Sequence, residues 1–140
     1  MSSASELNEL IRGRFAALVG IDFVSVAPDL VVSRLVLQKQ LSNTKGSVHA
    51  GVLVTMADTT CGAGCIAALP ERAEGFVTLE VKANFVAGVA EGVLRCTARP
   101  RHCGRSTQLW DAVVVSEDSG RELAFFSCTE LILYGNTKSE

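Results

Sequence analysis

Charge of either sign is in short supply in this chain, and so are proline and aromatic residues. Its 140 residues carry a net charge of −2, with 3 prolines and 6% aromatic residues. Without a basic excess the chain does not read as a dedicated nucleic-acid binder. With 48% hydrophobic residues and so little net charge, it does not read as disordered either. No stretch approaches the roughly 18–20 uninterrupted apolar residues that a membrane helix needs. The first fifteen residues, MSSASELNELIRGRF, lack the apolar core of an export signal, so a cytoplasmic protein is expected. A chain of this length suits one domain, and can bury roughly two thirds of the surface it exposes when unfolded.

The five cysteines, Cys61, Cys65, Cys96, Cys103 and Cys128, are odd in number, and the chain is large enough to fold without staples. A secreted disulfide framework is therefore not expected. Cys61 and Cys65 stand four apart, and His102 adjoins Cys103, but these spacings match no usual structural zinc pattern. Small buried thiols are the expectation, and no metal.

No internal repeat, low-complexity tract or linker divides the chain. Ser3 and Glu6 read as a capping box for a helix over about residues 5–19. Leu7, Leu10, Ile11, Phe15 and Leu18 follow at helical spacing, with Gly20 as the stop. The core then runs over about residues 20–134. Residues 21–26 and 30–38 are β-rich around the turn signal Pro28-Asp29, and polar residues 39–49 read as a loop. Residues 50–68, AGVLVTMADTTCGAGCIAA, hold one charge and precede Pro70, so their length favours a helix. Apolar and small residues surround it, which predicts a buried helix. Gly51, Gly62 and Gly64 each cost about 1 kcal/mol there relative to alanine, so close packing should explain them.

After Gly75 the period changes to two. Val77, Leu79, Val81, Ala83 and Phe85 share one predicted face, and Thr78, Glu80, Lys82 and Asn84 the other. Strands are also predicted over 92–100, 105–116 and 122–134, with turns at 88–92 and 117–120. A helix, two strands, one long buried helix and a run of antiparallel strands point to α+β, with one curved sheet wrapping a central helix.

Asp58 is the only charge in the predicted central helix. A buried carboxylate without a partner costs several kcal/mol or becomes protonated, so it is either bonded to a neighbouring amide or part of a site. His49 and Ala50 lie at the helix start, where free amides and the helix dipole favour an anion or a developing oxyanion. A carboxylate base and an oxyanion-binding helix end are two parts of an acyl-transfer site. Nine residues of helix separate Asp58 from His49, or about 13.5 Å, too far for one reacting carbonyl. A two-fold dimer with antiparallel central helices would bring Asp58 of one copy to the partner's helix start.

The run from Asn43 through His49, Ala50 and Gly51 to Asp58 resembles the N-x5-H-G-G-x6-D signature of hotdog-fold thioesterases of the phenylacetate-pathway (PaaI-like) group. Residues 77–88 and 103–115 are similar to that group's strands, so the resemblance covers about residues 20–134. Ala50 departs from it, standing where the family has the first glycine after the histidine. The resemblance implies a hotdog fold and hydrolysis of acyl-coenzyme A thioesters at a subunit interface, in a homodimer or homotetramer. The coenzyme A thioester is then the substrate, and no cofactor, nucleic acid or membrane is implied. By carry-over Asp58 is the general base that activates water. The Ala50 N–H polarises the thioester carbonyl, and Asn43 fixes the loop and the carbonyl or water. His49 braces the loop or is simply a structural histidine. Gly51 contacts substrate, and Thr78 is a hydroxyl near the water or an ordinary strand threonine.

Between Gly92 and Trp110 there is no acidic residue, yet Arg95, Arg99, Arg101 and Arg105 fall there. Arginine binds phosphate in bidentate fashion, so this stretch, above all Arg105 beside Ser106, is either a contact for the coenzyme A phosphates or a solvated strand edge. Two other readings stay open. A hotdog hydratase or dehydratase would need a differently placed His–acid pair, which the sequence does not offer. A non-catalytic acyl-CoA-binding module would fit the alanine at position 50.

Overall fold

A computed structural model describes residues 3–135. Ser3 caps α1 (Ala4–Ile11): its side chain accepts from the Glu6 amide, and the Glu6 carboxylate accepts from the Ser3 amide at 2.8 Å. The expected helix over 5–19 is two helices, because the chain turns at Gly13 with φ +73°, a left-handed conformation that a helix interior does not contain. The second piece, α2 (Phe15–Val19), ends at Gly20.

Six strands follow with one long helix between them: β1 (Ile21–Ala27), β2 (Leu30–Val36), α3 (Ala50–Ala67), β3 (Ala73–Phe85), β4 (Val93–Cys103), β5 (Thr107–Ser116) and β6 (Glu122–Tyr134). They form one antiparallel sheet in the order β1-β2-β4-β5-β6-β3. The sheet packs round α3, as the hotdog resemblance implies. By length and mean hydropathy alone α3 could cross a membrane, although Asp58 and three threonines interrupt its apolar run. Here its side chains Leu53, Met56, Ala57, Cys61 and Cys65 are buried beneath the sheet instead.

Three polar attachments hold α3 in register against the strands. The buried Ser33 hydroxyl of β2 meets Thr60 Oγ1 at 2.7 Å, while Thr60 donates back to the Met56 carbonyl. Gln108 of β5 donates to the Ala68 carbonyl at the helix end and accepts from the Trp110 indole N–H. Gly64 lies flat on that indole, and a Cβ there would come within 2.4 Å of the ring. The glycine is what allows helix and sheet to approach so closely. Gly62 faces Phe76 in the same way, at 3.1 Å.

β3 departs from simple alternation. Its pairing with β6 shifts between Thr78 and Glu80, so Leu79 is a bulge. Beyond it, Val81, Ala83 and Phe85 oppose the inward residues Cys128, Phe126 and Ala124, as expected for the apolar face. Before it, the inward residues are Phe76 and Thr78, opposite Ile132 and Glu130. Val77 thus goes to the outer face and Thr78 to the inner one, the reverse of the sequence expectation. A bulge adds one residue to one strand, and so exchanges the faces of everything on one side of it.

Candidate active site

Asp58 lies on the side of α3 nearest β3, half-buried, with its Oδ1 enclosed and without a hydrogen-bond partner. It borders a cavity of about 220 Å³ that Thr78 also lines, with apolar walls from Leu7, Ile11, Phe23, Ile66 and Phe76. The Leu79 bulge is what puts Thr78 on the face of β3 that borders this space, where it remains exposed. Burial pushes the Asp58 carboxyl above its usual range, and the charge of Glu130 pushes it in the same direction. No neighbouring amide takes up that oxygen, so the capping alternative for Asp58 has no support in the structure.

The other half of the expected site is built at the start of α3. Asn43 organises the preceding loop: its Oδ1 accepts from the amides of Lys45 and Ser47, and its own amide donates to the Ser47 carbonyl at 2.7 Å. His49 is the N-cap, and its Nδ1 accepts from the Gly51 amide at 2.8 Å. A neutral ring bonded this way carries its proton on Nε2. The His49 amide donates to the Leu41 carbonyl, and the Val52 amide to the His49 carbonyl. The Ala50 amide at this helix end finds no acceptor, and Ala50 is exposed. Of the two amides in the motif, that of Gly51 is occupied and that of Ala50 is available. One amide at a helix N-terminus, backed by the dipole, is a fitting oxyanion donor.

Both halves sit on one rigid helix, so the chain does not bring Asn43, His49, Ala50 and Gly51 together with Asp58 and Thr78. Eight residues separate Ala50 from Asp58, about 12 Å of helix.

The arginine stretch divides. Arg95 pairs with Glu117 at 3.5 Å, which also takes a bidentate bond from Arg34, and Arg101 pairs with Asp111 at 3.2 Å. These carboxylates come from the following strand and turn, which the acid-free run in sequence does not reveal. Arg105 keeps its guanidinium exposed at the β4–β5 turn. It lines a separate cavity of about 420 Å³ with Arg72, Glu71 and Tyr134, whose hydroxyl donates to the Arg105 carbonyl. Ser106 is exposed beside it, its carbonyl accepting from the Ile132 amide.

Cys61, Cys65, Cys96 and Cys128 are buried, but Cys103, at the end of β4, is exposed. Burial pushes the Cys65 and Cys96 thiols up to about 12, so neither is a thiolate nucleophile. Among the described residues no three His, Cys, Asp or Glu side chains stand close enough to hold a metal ion. One buried ionisable residue was missed by the sequence reading. Glu130 has no exposed surface, and its Oε2 has no partner. The signal was its parity with Phe126, Cys128 and Ile132 along β6, all of which point inward.

Comparison with known proteins gives a consistent picture. A family model described as the thioesterase superfamily matches residues 45–123, more than half of the chain. The 1,4-dihydroxy-2-naphthoyl-CoA hydrolase of Listeria monocytogenes is 30% identical over 79% of this chain and 89% of its own. The solved structure of conserved protein PA5202 from Pseudomonas aeruginosa is 34% identical, with a TM-score of 0.78 over 84% of this chain and 92% of that one. The PaaI protein of the Escherichia coli phenylacetic acid degradation operon shares the fold, with a TM-score of 0.80 at 23% identity over 95% of each chain.

Proposed function

Because the chain belongs to the thioesterase superfamily and is a thioester hydrolase, we propose that it hydrolyses acyl-coenzyme A thioesters to free acid and coenzyme A, in a site shared between two copies. The observation that carries this reading is the unpartnered Asp58 carboxylate beside Thr78 in an apolar cavity. The acyl group lies against the apolar walls, and Thr78 holds the attacking water near Asp58. Asp58 takes the proton from that water as it attacks the thioester carbon. The carbonyl oxygen, gaining charge, accepts from the Ala50 amide of the other copy. Collapse of the tetrahedral intermediate breaks the C–S bond, and the thiolate takes the proton held by Asp58 and leaves as coenzyme A, which restores the carboxylate. Asn43 and His49 support this step by fixing the loop and the helix end that present the amide. Gly51 lets the backbone pass close to the His49 ring, where a Cβ would stand 2.9 Å from Nδ1. Arg105, with Ser106 and Arg72 nearby, is the cationic contact for the coenzyme A phosphates. The named substrate of the Listeria relative is an acyl-CoA, which supports that substrate class.

β3 offers the surface for the second copy. It is thirteen residues long, pairs only with β6, and leaves Val77, Leu79, Val81 and Phe85 between 43% and 58% exposed. A long apolar strand with an unpaired edge is a surface for pairing. Pairing β3 with its counterpart about a two-fold axis runs the central helices antiparallel and brings each Asp58 towards the other copy's Ala50.

Thiol release from a panel of acyl-CoAs tests the activity. The wild type should turn over at least one of them, and Asp58→Asn should lose about 10²-fold or more, the scale for losing a general base. Unchanged turnover in Asp58→Asn refutes the base assignment.

A further inference from the structure

Glu130 takes no part in the steps above, yet it is the most deeply buried carboxyl in the described chain. Oε1 accepts from the Cys128 thiol at 3.2 Å, and Oε2 meets nothing. Its cross-strand neighbours on the inner face are Gln108 of β5 and Thr78 of β3. Gln108 is committed to Ala68 and Trp110. From the helix side, the charge of Glu130 acts on Asp58 and on two thiols that stay protonated, Cys61 through its hydrogen bond with Cys128 and its burial, and Cys65 through burial. No cation compensates it among the described ion pairs.

For stability alone such a residue is a poor choice, because an apolar side chain of the same volume would avoid burying a carboxyl with an unused oxygen. Asp58 carries the same defect at Oδ1. Thr78 joins the two, lining the cavity with Asp58 and pairing with Glu130 across the sheet. The only two enclosed side-chain oxygen or nitrogen atoms without partners, among the described residues, thus flank one threonine.

We propose that Glu130 is a positioning residue of the active site, a second carboxyl set behind Thr78 that acts on Asp58 through its charge. The proposal rests on Asp58 being the base. Two carboxyls in a poorly solvated space do not ionise independently, and the proton held by one depends on the state of the other. The remaining groups facing Asp58, from α1, β1 and β3, are Leu7, Ile11, Phe23, Phe76 and Thr78, none of which is charged. Glu130 is therefore the group that makes Asp58 a stronger base than burial alone would.

The test is a carboxyl titration by NMR on protein carrying ¹³C-labelled aspartate and glutamate side-chain carboxyls, combined with pH profiles of thioester hydrolysis. In the wild type, the Asp58 carboxyl signal should follow a curve that titration of a single isolated site does not fit. In Glu130→Gln and Glu130→Met, the Asp58 midpoint should move to lower pH, and the acid limb of hydrolysis should move with it. A role in packing alone would change stability and leave both midpoints in place. A single-site Asp58 curve in the wild type overturns the proposal, and that measurement needs no variant to fold. An unchanged Asp58 midpoint in the folded variants overturns it as well. An active Asp58→Asn enzyme would refute the base reading separately, and the titration curves would still decide the coupling.

Discussion

At Asp58 the fold places a carboxyl where burial and a second carboxyl both favour its protonated form. The folded-state value thus lies above the unfolded one, near 3.8. The sign of the linkage follows: this group favours folding below the unfolded value, and that contribution is lost as pH rises through the folded value. The proposed base role of Asp58 runs the other way, since a base must be unprotonated. We expect wild-type hydrolysis to fall on the acid side with a midpoint above 3.8. Asp58→Asn should also be more stable than the wild type at neutral pH, with the difference shrinking as pH falls. Denaturant unfolding at pH 7 and pH 4 checks this, and a variant less stable at pH 7 would count against it. Asp58 was legible in the sequence because it is the one charge in nineteen otherwise uncharged residues. Glu130 was not, because its strand reads as a mixture until the inward parity is counted.

Among the elements, α3 and β3 carry most of the candidate site. The Gly64–Trp110 contact gives a test of how tightly α3 is held. In a free helix Gly64→Ala would gain about 1 kcal/mol. Here the new methyl group would meet an indole that is fully buried and tied to Gln108, and overpacking of this kind costs roughly 1–3 kcal/mol. We expect net destabilisation, seen as a lower denaturation midpoint, and a more stable Gly64→Ala would show that helix and sheet separate easily. The length and burial of α3 were readable from its composition and from Pro70. The face exchange in β3 was not, because Leu79 keeps the alternating pattern intact in sequence and only its pairing reveals the bulge. The break at Gly13 was hidden for a similar reason: Phe15 and Leu18 keep the helical spacing of α1, yet they are 65% and 83% exposed.

For the molecule as a whole, the central claim is that one chain holds two half-sites and that a second copy completes them. The sequence showed the difficulty, through the helical distance between His49 and Asp58, and the exposed β3 edge offers a solution. Mixing two inactive variants tests this most directly. Asp58→Ala removes the base, and Ala50→Val crowds the oxyanion position, so each homodimer should lose about 10²-fold or more. In a mixed dimer, one site collects both defects and the other collects none. Mixing should therefore restore activity, up to about half of the wild-type level per heterodimer, once subunit exchange has been verified with differently tagged chains. Verified heterodimers that remain inactive would contradict the shared site.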